Sequence, residues 1–236
     1  MRLIPSIILP DFFKGPKSIL CFLLFCFLPL TTWAETGVRG NLSVSLEKKL
    51  NPFFDLNLEN EVRFSNNTIG FDRNNTSIGF DYSLFDRKLK MGGYYAFLYL
   101  YNDKHLFEAR HRYYFNLSYK ETFNRWTFSW RGRWQVTHRN ENRGEYKINP
   151  KQVLRNKFQI EYSVWGKPWK PSVSCELYND LNNPAGNYLT RIRYQAGTTW
   201  RLNRTDYLDF FARYDQYMDM RELNIISLGI TWKLKW

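Results

Sequence analysis

The sequence predicts an all-β protein: a transmembrane antiparallel up-and-down β-barrel of about 10 strands, with about 12 as the alternative. Apolar and polar residues alternate with period two along most of the chain, which is typical of strands with one apolar and one polar face. Aromatic residues make up 19% of the chain, although its mean hydropathy is negative. An aromatic exterior around a polar lumen accounts for this combination, whereas a soluble core is mostly aliphatic.

The chain begins with the features of a secretory signal peptide. Basic residues precede an apolar run over residues 18–30, and Ala34 follows Thr32 by two positions, as a signal-peptide cleavage site requires. We expect cleavage after Ala34, so that residues 1–34 are the signal peptide and residues 35–236 form the barrel. The apolar run is short for a membrane-spanning helix, and a retained N-terminal anchor is the alternative.

Charge and cysteine content exclude several other classes of protein. The formal net charge is +12, and it stays strongly positive without residues 1–34. Cys175 is then the one remaining cysteine, so no intrachain disulfide and no cysteine-based metal cluster can form. A basic protein can bind nucleic acid, but this needs arginines interleaved with aromatic residues on one face. Here the two types lie on opposite faces of the same strands, so we predict no nucleic-acid partner.

Eleven segments carry the alternation, and we expect each to form a strand. In the clearest one, Trp126, Phe128 and Trp130 alternate with polar residues, whereas a helix would scatter them around its circumference. Single-chain bacterial barrels have an even number of strands. The pattern therefore predicts about ten strands if residues 40–48 are not a full wall strand, or about twelve if one more exists. The segments are residues 40–48, 54–64, 76–85, 88–101, 107–119, 126–138, 154–164, 173–178, 191–201, 208–215 and 227–236.

Each predicted strand has an apolar face that we expect to contact lipid. Residues 88–101 carry aromatic residues on both faces, and Gly92 and Gly93 are expected to bend that strand. In chain order the other apolar faces hold Leu42 and Val44; Leu56 and Leu58; Ile78 and Phe80; Tyr113 and Phe115; Trp130 and Trp134; Phe158 and Ile160; Val173 and Cys175; Ile192 and Tyr194; Leu208 and Phe210; and Leu228 and Ile230.

Short and long connections alternate between these strands, as periplasmic turns and extracellular loops do in outer-membrane barrels. The short ones are residues 49–52, 86–87, 120–125, 166–170 and 203–205. The others, mostly longer, are residues 65–75, 102–105, 139–150, 179–187 and 218–222.

Tryptophans gather near the short turns. Indole rings favour the membrane–water interface, so we expect a girdle on the periplasmic side. Its predicted members are Trp126, Trp165, Trp169, Trp200, Trp232 and Trp236. By similarity to outer-membrane proteins that end on an aromatic residue, we expect Trp236 to contact the barrel-assembly machinery.

The opposite strand faces are crowded with charge. We expect them to line the lumen, because a charge that faces lipid near the midplane costs about 2–4 kcal/mol. The sequence leaves two interpretations open: ion pairs that plug a narrow barrel, or a basic pore that selects anions or acidic sugars. The predicted basic lining residues are Arg110, Arg112, Arg131, Arg133, Arg155, Lys157, Arg191, Arg193 and Arg213. Their predicted acidic partners are Glu59, Glu61, Glu108, Glu161, Glu176, Asp209 and Asp215.

Catalytic motifs do not emerge from the sequence. Outer-membrane lipid-modifying enzymes place a Ser–His pair at the membrane surface, but none of His105, His111 and His138 has a serine two residues away. His111 and His138 fall on outward faces, where we interpret them as interface residues. No His and Cys spacing fits zinc, and no glycine-rich loop fits a phosphate. We predict no catalytic residue, metal or cofactor, with a lipid-modifying enzyme as an alternative.

Three stretches carry a resemblance to a known family: FEARHRYYFNL at 107–117, WTFSWRGRWQ at 126–135 and VLRNKFQIEY at 153–162. They resemble the Bacteroidetes outer-membrane proteins of domain-of-unknown-function family 2490. The resemblance implies a membrane β-barrel and brings no activity or catalytic residues. We expect a passive protein of a Bacteroidetes-type Gram-negative outer membrane, in contact with its lipid. Its predicted role is a narrow anion-preferring channel for a small anionic solute, or a structural barrel with a plugged lumen.

Overall fold

A computed structural model describes residues 36–65, 70–101, 106–139, 149–184, 186–218 and 223–236. The predicted signal peptide lies outside these residues. Among the described residues, no helix is long and apolar enough to cross a membrane. The strands are β1 (Thr36–Lys49), β2 (Phe54–Ser65), β3 (Gly70–Leu84), β4 (Leu89–Tyr101), β5 (Phe107–Phe123), β6 (Trp126–Arg139), β7 (Lys151–Tyr162), β8 (Trp169–Asp180), β9 (Tyr188–Arg201), β10 (Asp206–Tyr217) and β11 (Asn224–Lys235).

The strands form one closed barrel in which each strand pairs with its neighbours in sequence. Consecutive strands are antiparallel, and β1 closes the barrel against β11 in a parallel pairing. That seam runs from Thr36 opposite Asn224 to Glu47 opposite Lys235. Closure leaves no exposed sheet edge. The predicted all-β barrel is confirmed.

The strand count falls between the two predicted values, because the described residues form eleven strands. The first segment is a full wall strand: β1 has 14 residues and pairs along both edges. Consecutive strands alternate in direction, so the first and last of an odd number run the same way. The expectation of an even count, with antiparallel closure, therefore does not apply to this barrel.

One predicted loop is largely strand. β3 begins at Gly70, inside the Asn-rich stretch 65–75 that the sequence assigned to a loop. On the outer face the Asn60 amide donates to Asn74 Oδ1 at 2.8 Å and to Thr76 Oγ1 at 2.8 Å. Asparagine is normally depleted in strands, but these cross-strand bonds give its side chain partners within the sheet.

One short connection, between β5 and β6, is tighter than predicted. β5 extends to Phe123 and β6 begins at Trp126, which leaves Asn124 and Arg125 as the turn. Asn124 has a left-handed backbone with φ of 55°. Two-residue hairpin turns require this conformation, and asparagine adopts it more readily than most residues.

The barrel is apolar outside and polar inside. Leu42, Phe80 and Phe158 on outward faces are more than half exposed. Most buried side chains are polar or charged, whereas an apolar cluster inside the barrel consists of Ala96, Leu98 and Leu100 packed against Tyr114. This polarity is the reverse of a soluble protein and matches a barrel with a lipid-facing exterior.

Candidate functional site in the lumen

A cavity of 1110 Å³ lies inside the barrel. Its wall contains all nine predicted basic residues: Arg110, Arg112, Arg131, Arg133, Arg155, Lys157, Arg191, Arg193 and Arg213. It also contains five of the seven predicted acidic residues: Glu59, Glu61, Glu161, Glu176 and Asp209. Glu108 and Asp215 are not among its lining residues and instead bind arginines. Arg110 Nε donates to Glu108 at 2.7 Å, and Arg193 donates to Asp215 at 2.5 and 2.8 Å.

The cavity also contains basic residues that sequence reasoning missed. Arg63 shares the inward alternation of β2 and could have been found from it. Arg39 and Arg73 precede the predicted starts of their strands, so no predicted face included them. In total, fifteen arginines and lysines line the cavity against six carboxylates. The other three missed residues are Arg139, Lys151 and Lys233.

Part of this basic set is held by buried carboxylates. Glu176 on β8 has a side chain that is 4% exposed, and it accepts bonds from Arg131 and Arg155 at 2.9 Å each. Tyr178 Oη donates to its other oxygen at 2.9 Å. Charge-assisted bonds of this kind fix the positions of both partners. These arginines therefore act as structural members of the wall.

The Tyr178 ring organises a second group of arginines. The guanidinium carbons of Arg191, Arg155 and Arg193 lie 3.7, 4.6 and 5.3 Å from its centroid. Arginine is attracted to the face of an aromatic ring and stacks on it. The three like charges are thus held close together on β7 and β9 around one aromatic residue of β8.

Four basic residues of the cavity wall form no ion pair with a carboxylate of the described chain: Arg112, Arg133, Lys157 and Arg213. Neutral groups hold the three arginines instead. Arg112 Nε donates to Thr137 Oγ1 at 3.1 Å, Arg133 Nε donates to Asn116 Oδ1 at 2.7 Å, and Arg213 Nε donates to Gln195 Oε1 at 3.3 Å. These cations leave positive charge in the cavity that the described wall does not neutralise.

At the end of the barrel with the short turns, oppositely charged side chains fill the interior. Asp55 is fully buried and binds both Arg87 and Lys90, the latter at 2.9 Å. Lys235 Nζ donates to Glu47 at 2.5 Å across the seam between β1 and β11. None of these five residues belongs to the cavity lining.

Tyr94 lies between these ion pairs and Tyr114, which lines the cavity. Tyr94 Oη donates to Asp81 at 2.7 Å, and the Asn57 amide donates to Asp81 at 3.2 Å. A Cβ at Gly92 would collide with the Asp81 carboxylate. Glycine therefore makes room for this half-buried pair, a role that differs from the expected bend in β4. We call this region the plug; it consists of Glu47, Asp55, Asn57, Asp81, Arg87, Lys90, Tyr94 and Lys235.

A smaller cavity of 230 Å³ lies beside the plug. Its lining includes Arg87 and Lys90 of the plug, and it shares Arg131, Lys157 and Gln159 with the main cavity. The shared residues belong to β6 and β7. The two cavities therefore border the same stretch of β6 and β7, and Lys157 lines both of them.

The tryptophans predicted to form a girdle lie at the end of the barrel with the short turns, at strand ends or in the β7–β8 connection: Trp126, Trp165, Trp169, Trp200, Trp232 and Trp236. Trp169 and Trp200 stack with centroids 5.7 Å apart, and Arg125 lies 5.8 Å from the Trp165 ring centroid.

The two described histidines lie outside the lumen. His111 faces His138 across β5 and β6, and its Nδ1 lies 2.7 Å from Tyr95 Oη. His105 is outside the described residues. Within the described part of the chain, no three His, Cys, Asp or Glu residues group as metal ligands.

Comparison with known proteins identifies a family and a structural likeness. The translocator domain of autotransporter NalP from Neisseria meningitidis is similar, with a TM-score of 0.39 and 10% identity, over 75% of this chain and 72% of that chain. No curated protein matches the chain. The family model of DUF2490, described as a protein of unknown function, matches residues 41–221. The chain therefore belongs to the DUF2490 family.

Proposed function

We propose that this protein spans the outer membrane of a Gram-negative bacterium and that its lumen is a narrow anion-preferring channel. The predicted secretory signal at residues 1–34 and the apolar exterior support the location. A closed barrel satisfies its backbone hydrogen bonds within the sheet, as a membrane requires. The contents of the lumen support the activity.

The observation that carries the proposal is the set of four cations without carboxylate partners, Arg112, Arg133, Lys157 and Arg213. Unpaired charges of one sign in a narrow space attract counter-ions and repel ions of the same sign. The fifteen basic and six acidic lining residues extend that field over the cavity. A cation that enters meets repulsion, whereas an anion meets donors that no wall carboxylate occupies.

We infer a route past the plug from the residues that the two cavities share. Lys157 belongs to both linings and has no hydrogen-bond or ion-pair partner in the described chain. An ion that passes from one cavity to the other along β7 passes this residue. We assign Lys157 the largest single influence on ion selectivity.

Reversal potentials across planar bilayers with a potassium chloride gradient test this function. The purified refolded barrel is expected to pass more chloride than potassium, and Lys157→Glu is expected to reverse or abolish that preference. Lys48→Glu makes the same charge change at an exposed position outside the lumen and should leave the preference intact. Cation preference in the unmodified barrel would refute the proposal.

A second candidate, a structural barrel without transport, is favoured by the buried ion pairs of the plug. It predicts no conductance in the unmodified protein. An Asp55→Asn variant that conducts while the unmodified protein does not would support this second function.

A further inference from the structure

We propose that Arg112 and Arg133 form an oxyanion-binding site in the cavity wall, which takes a carboxylate or phosphate group of a small solute. This inference deepens the proposed function and rests on it for the access of solute to the lumen. The two arginines extend from adjacent strands, β5 and β6. The register places Arg112 opposite Thr137 and Arg133 opposite Asn116.

Stacking orients Arg133. Its guanidinium carbon lies 4.1 Å from the centroid of Tyr114, on β5 between Arg112 and Asn116. Tyr114 in turn stacks on Tyr94 of the plug, with centroids 4.8 Å apart and ring planes 6° apart. The bond to Asn116 fixes Nε. The Arg133 guanidinium thus lies against the stacked rings of Tyr114 and Tyr94. Tyr114 is one inward position of β5 closer to Arg112 than Asn116, which lies opposite Arg133 in the register.

The terminal nitrogens of both guanidiniums are free to bind a ligand. In the described chain, Arg112 and Arg133 each use Nε for a neutral acceptor, and their terminal NH groups donate no hydrogen bond. Neither residue is fully buried, and both line the cavity. The geometry of two terminal NH groups matches the two oxygens of a carboxylate or phosphate.

No carboxylate of the described chain is among the strongest electrostatic neighbours of Arg112. Its strongest electrostatic neighbours are all arginines: Arg155, Arg73, Arg63 and Arg133. All of these neighbours except Arg133 form an ion pair with a carboxylate. The partners are Glu176 for Arg155, Asp72 for Arg73 and Glu61 for Arg63. Arg112 and Arg133 are therefore the members of this group whose charge is left for an exogenous anion.

The ligand chemistry follows from the donors. A guanidinium pair discriminates by geometry as well as charge, so an anion with two or more oxygens gains parallel bonds that chloride cannot make. The cavity of 1110 Å³ has room for an organic acid or an organic phosphate. We expect selectivity for oxyanions over halides.

Isothermal titration calorimetry on the refolded full-length mature chain tests the site. The detergent carries no phosphate or carboxylate, chloride sets a constant ionic strength, and the probes are citrate and inorganic phosphate. We expect saturable binding of at least one probe. Arg112→Gln and Arg133→Gln should each weaken it by about tenfold or more, because each removes charge-assisted hydrogen bonds.

Arg110→Gln is the matched control. It lies two residues from Arg112 on the same inward face, loses the same charge, and binds Glu108 in the unmodified protein. Its effect should stay below about threefold, since it removes no donor from the site. Arg133→Lys keeps the positive charge, so we expect the barrel to fold as before. It loses the planar guanidinium, and with it the paired NH donors and the stacking on Tyr114. It should bind about as weakly as Arg133→Gln.

Absence of saturable binding would overturn the inference, as would equal affinity in all four variants. Full affinity in Arg133→Lys would show that charge alone attracts the ligand, and would also overturn it. Calorimetry measures binding independently of ion conductance, so the two proposals can fail separately. Binding without conductance would refute the channel and keep the site, whereas anion-selective current without binding would refute the site alone.

Discussion

The plug and the part of the cavity wall that holds Arg112 and Arg133 contain the same types of charged residue, but in the described chain only the plug pairs them with carboxylates. In the plug, Asp55 joins Arg87 and Lys90, and Glu47 joins Lys235, so charge is neutralised and space is filled. In the wall, Arg112 and Arg133 donate to neutral acceptors and line the cavity. The comparison teaches that the pairing of charges, more than their number, separates the neutralised part of this lumen from the part that can attract a solute.

The largest expected effect comes from breaking the centre of the plug. Asp55→Asn removes a fully buried carboxylate, which leaves Arg87 without its ion-pair partner and Lys90 with Glu47 alone, 3.9 Å away. Breaking a buried ion pair in this way costs about 3–5 kcal/mol. We expect that loss in the free energy of unfolding, measured by urea titration in detergent. Asp86→Asn makes the same change at an exposed turn and should unfold like the unmodified barrel.

Glu176→Gln is expected to have the next largest effect, because it turns a paired part of the wall into an unpaired one. Arg131 and Arg155 lose a carboxylate that is 4% exposed. We expect a loss of about 2–3 kcal/mol in unfolding free energy and, at the same time, a stronger anion preference in bilayers. Glu59→Gln, whose carboxylate has no ion pair in the described chain, should lose little stability. A Glu176→Gln barrel as stable as the unmodified one would contradict the structural role of this network.

Gly92→Ala tests the packing of the plug without changing any charge. The new methyl group would overlap the Asp81 carboxylate, and overpacking of this kind costs about 1–3 kcal/mol. Gly93→Ala is the matched control, since a Cβ there meets no heavy atom within 4 Å. Equal unfolding midpoints for the two variants would mean that the Asp81–Tyr94 pair does not fill this space.

Lys157→Gln should have the smallest effect on stability. This lysine has no partner in the described chain, so its replacement should change the unfolding free energy by less than about 0.5 kcal/mol. Anion preference should nevertheless fall, because Lys157 lines both cavities and its charge is lost. A large loss of stability, measured by the same urea titration, would place Lys157 among the structural charges.

Alternation predicted which side chains face the lumen, because a strand fixes side-chain direction with period two. It placed Arg112, Arg133 and Glu176 on inward faces. It did not predict their partners. Lys235 and Glu47 are 188 residues apart in sequence and meet only because β1 and β11 close the barrel. The division into plug and cavity depends on this closure and on the register across several strands, which the composition of one strand does not determine.

Strand boundaries were the other part that the sequence did not provide. Residues 70–75 have the composition of a loop, yet most of them pair with β2. Backbone pairing and side-chain bonds from Asn60 outweigh the local preference of asparagine there. Arg73 was missed as a lining residue for the same reason.

Thiol modification at two lumen positions tests the central claim most directly. In a Cys175→Ser background, Ser172→Cys lies in the cavity wall and Ser83→Cys lies 2% exposed at the end that holds the plug. Methanethiosulfonate reagents of similar size, one anionic and one cationic, are then applied to the folded barrel. The account predicts that Ser172→Cys reacts faster with the anionic reagent and that Ser83→Cys is protected from both. Faster reaction of Ser172→Cys with the cationic reagent, or ready modification of Ser83→Cys, would contradict it.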